Sequence, residues 1–118
     1  MYGGIGIAAG TSSVRDCEIK NMQTWGVELI TSSIEDSHVS GATGYGIYVD
    51  GSRSTIRNNV LESNTIDVFV QTSGSAAVII DNVIHCPTSI TSAPGVAYYA
   101  PTNGVEHSNQ PRFAAGFC

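Results

Sequence analysis

A short pattern returns along this chain at intervals of about 21 residues, and a repeat of that kind restricts the fold more than any other feature of a sequence. Two motifs alternate. The first is Gly-apolar-any-apolar: Gly4-Ile5-Gly6-Ile7, Gly26-Val27-Glu28-Leu29, Gly46-Ile47-Tyr48-Val49 and, with Asp in place of Gly, Asp67-Val68-Phe69-Val70. The second is apolar-x-Asp/Asn-x-x-apolar, running Val14 to Ile19, Ile34 to Val39, Ile56 to Leu61 and Ile79 to Ile84. Both are short, rich in β-branched residues and bounded by Ser, Thr, Gly and Asn, which is the chemistry of strands and turns. No window carries the i, i+3, i+4, i+7 spacing of an amphipathic helix.

A β-sandwich would not require every second strand to look alike, whereas a solenoid does, because each coil must match the coil it stacks on. The expected fold is therefore all-β: a single-stranded right-handed parallel β-helix of four to five coils. Side-chain alternation then sends Ile5/Ile7, Val27/Leu29, Ile47/Val49 and Val68/Val70 inward as two apolar columns. The ends of the second motif do the same. Between them Cys17, Ser37, Asn59 and Asn82 share one offset, where each can hydrogen-bond its counterpart in the next coil. The same alternation points Trp25 and Tyr45 inward, as core or corner packing.

The strand Gly46-Ile47-Tyr48-Val49, followed by Thr55-Ile56-Arg57-Asn58-Asn59-Val60-Leu61, resembles the right-handed parallel β-helix repeat of pectate lyases, mannuronan epimerases and phage tailspikes. The resemblance spans about residues 3–92 and speaks for the fold, not for one activity. It implies that the Gly-led strand belongs to the family's first sheet and that Asn59 and Asn82 lie at its tight second turn. It also implies a substrate groove along the outer face of the first sheet.

Residues 1–92 thus read as repeats and 93–118 as an irregular segment. Ser89-Ile90 starts a fifth coil, Pro87, Pro94, Pro101 and Pro111 interrupt regular strands, and Gly95-Val96-Ala97-Tyr98-Tyr99 is the strand candidate. This segment offers a cap for the last coil, a contact to a neighbouring chain, or a tail. Both ends of a β-helix are open edges, and Gly3-Gly4 begins the first coil without a capping segment. Self-association is expected, with a trimer implied by the tailspike resemblance alone.

Composition trims the list of functions. The formal net charge is −5, the opposite of the basic footprint that phosphate backbones need, so nucleic acid is not an expected partner. No apolar run approaches a membrane span. Met1-Tyr2-Gly3-Gly4 lacks the basic and apolar regions of a secretory signal, which leaves the cytoplasm, or an extracellular or virion location if the chain is tailspike-like. Three cysteines, Cys17, Cys86 and Cys118, form no disulfide framework and no zinc spacing. No metal or cofactor is expected. Gly4-x-Gly6 with Gly10 is not a dinucleotide loop, because no helix follows it.

The presumed groove would carry Gly6/Ala8, Glu28/Ile30, Tyr48/Asp50 and Phe69/Gln71. Glu28 and Asp50 are diagonal neighbours, on the order of 8 Å apart, a separation at which two carboxylates bracket a water for inverting glycoside hydrolysis. They are the candidate catalytic pair, with Tyr48, Phe69 and Gln71 as candidate substrate-binding residues; the alternative is a solvated surface. Glu35, Asp36 and His38 lie near Asp16 and Glu18 of the preceding coil, as groups for proton transfer or for holding a metal. Asp16, Asp36, Asn58 and Asp81 share one offset and form a column that reads as turn residues. A calcium site of the pectate lyase kind is implied there only by the resemblance. Arg15, Glu35 and Arg57 occupy one outward column and read as weak cross-coil ion pairs.

An ice-binding solenoid would need a repeated Thr face, which these columns lack. Two functions remain: carbohydrate-associated recognition or a structural β-helix module of a tailspike-like oligomer, and, as the alternative, a polysaccharide-processing hydrolase, lyase or epimerase. Few coils and no Lys or Arg on the groove favour the first.

Overall fold

The computed structural model describes residues 4–71, 76–85, 88–90, 95, 97–98 and 110–111. Strands come three to a coil. The first coil holds β1 (Ile5–Gly10), β2 (Ser13–Arg15) and β3 (Glu18–Lys20), and the second β4 (Trp25–Ile30), β5 (Ser33–Glu35) and β6 (His38–Ser40). The third has β7 (Tyr45–Val49), β8 (Thr55–Arg57) and β9 (Val60–Glu62), the fourth β10 (Ile66–Val70), β11 (Val78–Ile80) and β12 (Val83–Ile84). Strands β13 (Thr88–Ile90), β14 (Ala97–Tyr98) and β15 (Gln110–Pro111) add a fifth rung. Every strand pairs in parallel with its counterpart one coil away, giving three five-stranded sheets that enclose one core. The all-β solenoid expected from the repeat is the fold observed.

The second motif splits into two strands because its third residue turns the chain. Asp16, Asp36, Asn58 and Asp81 all have positive φ, between 52° and 60°. A residue without glycine's freedom adopts that conformation rarely, and Asn and Asp do so most readily. The column of short polar residues is thus a turn column. Thr11, Thr31 and Arg53 mark a second such corner, and Asn21, Gly41 and Ser63 a third.

Corners leave backbone groups that no sheet satisfies, and stacked side chains satisfy them. Asn59 Oδ1 accepts from the Ser37 backbone N–H at 3.1 Å, while its Nδ2 donates to Ile34 O and to Asn82 Oδ1. Asn82 in turn accepts from Asn59 N–H at 2.9 Å and donates to Ile56 O. Ser37 Oγ closes the ladder on Cys17 N–H. The expected ladder is present, and buried from Ser37 through Asn59 to Asn82. A Ser ladder runs beside it, with Ser12 N–H donating to Ser32 Oγ and Ser32 N–H to Ser54 Oγ. At the third corner Asn64 accepts from Ala42 N–H and donates to Val39 O.

The core holds Val27, Leu29, Ile34, Val39, Ile47, Val49, Ile56, Leu61, Val68, Val70 and Ile79, all fully buried. The first coil departs from expectation. Ile7 pairs with Val27 and Ala9 with Leu29, while Ile5 pairs with Trp25 and is exposed. The motif of this coil is therefore Gly6-Ile7-Ala8-Ala9; Gly4 and Gly6 both precede an isoleucine, and only backbone pairing tells them apart. Gly6 belongs to the inner column, and the outer positions are Ala8 and Gly10.

The inward placement of Trp25 and Tyr45 is also overturned. A Cβ on Gly26 would lie 2.6 Å from Val39 Cγ1 and 2.7 Å from Gly46 O, so position 26 faces the core, as does Val27 beside it. Two consecutive inward residues break the alternation, and the residue before the glycine is thrown outward. Asp67 occupies this slot in the fourth coil, fully buried, accepting from Asn64 Nδ2 at 2.8 Å and from His85 N–H at 3.0 Å. Cys86, Cys118 and His107 lie outside the described residues, as does most of 93–118.

Two substitutions test this packing by chemical denaturation. Asn59→Ala removes the centre of a buried ladder and is expected to cost on the order of 3 kcal/mol. Gly26→Ala forces a methyl group into contact with Val39 and Gly46 and is expected to cost about 2–3 kcal/mol. Gly10→Ala, where a Cβ meets nothing within 4 Å, should stay within about 0.5 kcal/mol of the parent.

Candidate functional site

The break in alternation assembles the site. With Trp25 and Tyr45 outside, the first sheet presents three outward columns: Ile5, Trp25, Tyr45 and Ile66; Ala8, Glu28, Tyr48 and Phe69; Gly10, Ile30, Asp50 and Gln71. Four rings meet at its centre. Trp25 and Tyr48 stack with centroids 4.0 Å apart and planes parallel, and Tyr45 stacks on Phe69 at 4.4 Å. Tyr48 lies 5.7 Å from Tyr45 and 5.6 Å from Phe69. Offset stacks of this kind contribute roughly 0.5–1.5 kcal/mol each beyond area burial, so the rings also tie three coils together.

The candidate substrate-binding residues Tyr48, Phe69 and Gln71 are brought into one group. Gln71 Nε2 donates to the Tyr48 hydroxyl at 2.7 Å, although the two side chains come from adjacent coils. Glu28 sits beside Tyr48 in register, and Asp50 continues β7, its N–H donating to Leu29 O. Burial raises the Tyr48 pKa above the ordinary 10.0, the Gln71 hydrogen bond lowers it, and the charges of Asp50 and Glu28 raise it further. Trp25 and Tyr45, absent from the sequence-based site, complete the ring cluster.

The second constellation takes a different shape. Arg15 Nε binds Glu35 Oε1 at 3.0 Å and Arg57 approaches its other oxygen at 4.0 Å, so Glu35 belongs to the cross-coil ion pairs of the second sheet. Asp36 accepts from Asn58 Nδ2 at 2.6 Å. His38 instead reaches forward: its Nε2 lies 2.9 Å from Glu62 Oε1, and Glu62 Oε2 is 3.9 Å from His85 Nδ1. Leu61 O lies 3.0 Å from the same His85 nitrogen, which places the proton on Nδ1. Laying the coils in register pairs Glu62 with His85, which share one offset, but not His38, which is in register with Val60. Among the described residues no group of three acids, histidines or cysteines is arranged to hold a metal ion.

A concavity of about 530 Å³ opens at the turn column of Asp16, Asp36 and Asn58, with Glu18 and His38 also lining it. A second, of about 440 Å³, lies at the first coil and is lined by Ile7, Cys17, Ile19 and Met22 among others. A third, of about 310 Å³, lies along the second sheet between Thr55 and Asp81. The aromatic face of the first sheet is outside all three.

A family model described as a right-handed beta helix region matches residues 3–86 and, in an overlapping second alignment, residues 31–109. The chain belongs to the right-handed β-helix family. The two overlapping alignments are what a stack of similar coils produces, since a repeat can be laid on its neighbours in more than one register. No curated protein and no solved structure matches this β-helix. Among the described residues no helix is long and apolar enough to cross a membrane.

The raised Tyr48 pKa fixes the sign of an alkaline transition. The folded state favours the neutral phenol, so the stability it contributes is complete below pH 10 and is lost as pH rises through the higher folded-state value. Tyrosinate absorbance should show one ring ionising late, together with unfolding, and Tyr48→Phe should remove that component of the alkaline transition.

Proposed function

We propose that this β-helix is a recognition module that binds carbohydrate across the outer face of its first sheet. The observation that carries the reading is the ring cluster of Trp25, Tyr45, Tyr48 and Phe69 with polar groups at its border. A sugar needs apolar surface for its C–H faces and acceptors for its hydroxyls. Glu28, Asp50 and Gln71 supply the second around Tyr48. The face is an open sheet surface apart from the three concavities, which suits binding along a chain better than enclosing a reacting bond. Self-association of the solenoid, as a trimer by analogy with tailspikes, belongs to the same proposal.

Binding of the whole chain to a panel of soluble polysaccharides tests it. Retention of at least one glycan is expected, weakened about tenfold or more by Glu28→Ala, with the mass in solution above that of one chain. A folded protein that retains none of the panel refutes the recognition reading.

A second reading is favoured by one observation: two carboxylates flank Tyr48 on the sheet, Glu28 in register with it one coil back and Asp50 two residues along its own chain. On that reading the pair acts in polysaccharide hydrolysis, lyase or epimerase chemistry. Shortening or conversion of a bound glycan, abolished in both Glu28→Gln and Asp50→Asn, would replace the recognition reading by the enzymatic one.

A further inference from the structure

We infer that the glycan taken by this face is uncharged and that Trp25 supplies the ring on which one of its sugars lies. The inference rests on the carbohydrate reading above and goes beyond it in naming both ligand class and subsite.

Stacking decides which ring is available. Tyr48 has Trp25 on one side at 4.0 Å and Phe69 on the other at 5.6 Å, and it is only 8% exposed. Its faces are committed to its neighbours. Tyr45 likewise lies between Trp25, at 6.3 Å, and Phe69, at 4.4 Å. Among the described residues Trp25 is different because it ends the stack: its ring contacts there, with Tyr45 and Tyr48, are both to the third coil. Toward the first coil the same outward columns hold Ile5, Ala8 and Gly10, which carry no ring, and all three are exposed. The first coil is therefore a low step beside a partly exposed indole. A sugar ring placed on that step meets the indole face, with the Glu28 carboxylate three residues along the same strand.

Charge decides the class of sugar. None of the described cations belongs to a strand of the first sheet. Arg15 and Arg57 flank Glu35 on the second sheet, Lys20 pairs with Glu18 on the third, and Arg53 sits in the turn after β7. What the first sheet does present is negative: Glu28 and Asp50. A polyuronate or sulfated glycan would bring a like charge to these carboxylates at each repeat, with no cation among the described residues of that sheet's strands to neutralise it. A neutral glycan instead donates its hydroxyls to them in charge-assisted hydrogen bonds, and its C–H faces suit the electron-rich indole.

Trp25 is the only tryptophan in the chain, so its emission reports occupancy of this subsite alone. The full chain is titrated at low salt with neutral gluco- and manno-oligosaccharides and with uronate oligosaccharides of equal length. Binding is followed by Trp25 emission and independently by calorimetry. The expected result is a shift in emission with a neutral series and binding of the uronates at least about tenfold weaker. Trp25→Ala should lose about tenfold or more in affinity for the neutral series, and Trp25→Phe, which keeps a ring in the stack, should retain most of it. Circular dichroism of both variants separates loss of the subsite from loss of the fold. Uronates that bind as tightly as the neutral series overturn the charge assignment. Neutral binding seen by calorimetry with unchanged emission overturns the role of Trp25. If neither class binds by either measurement, the carbohydrate reading falls, and this inference with it.

Discussion

Every coil of this protein must offer, at each position, a side chain that the coils about 4.8 Å above and below can pack against or bond to. That demand for register governs the molecule. Apolar positions become continuous columns, from Ile7 through Val27 and Ile47 to Val68. The corners become ladders, because a chain that turns three times per coil leaves backbone groups facing no strand. Asn59, Asn82 and Asn64 reach back to the carbonyls of Ile34, Ile56 and Val39, so side-chain amides do at the corners what strand pairing does along the sides. A half-satisfied ladder would be costly in so dry an interior, which ties each corner residue to its neighbours one coil away.

The same register explains the site. Gly26 and Gly46 face the core in a position with no room for a side chain against the next coil, and each pushes the residue before it to the surface. Had alternation run unbroken, Trp25 and Tyr45 would compete with Val27 and Ile47 for interior space. Outside, they find Tyr48 and Phe69 one coil on and build a face that is aromatic at its centre and acidic at its border. Asp67 takes the inward slot in the fourth coil by hydrogen-bonding to Asn64 and His85, so a buried carboxylate stands where earlier coils have hydrogen alone.

The three sheets divide the chemistry between them. The second carries the Arg15–Glu35–Arg57 ion pairs, solvent-exposed and therefore worth little to stability. The third carries His38, Glu62 and His85 from three successive coils. Only the first gathers rings and acceptors without a cation among its described residues. Solenoid geometry makes this segregation natural, since a residue repeated at one offset always returns to the same side.

The repeat alone determined the architecture, because a 21-residue period with two interleaved motifs has few structural solutions. The Cys17-Ser37-Asn59-Asn82 ladder, the turn column at Asp16 and the grouping of Tyr48, Phe69 and Gln71 were legible for the same reason: each needs only the offset between coils. Decisions of one or two residues were not legible. Whether Gly4 or Gly6 leads the first coil, and whether Trp25 points in or out, depend on where alternation breaks, and identical local sequence permits either. The link from His38 through Glu62 to His85 likewise requires knowing which side chains lean across a coil boundary. Period is a property of the chain, but side-chain direction at a corner is settled only when neighbouring coils compete for the same space.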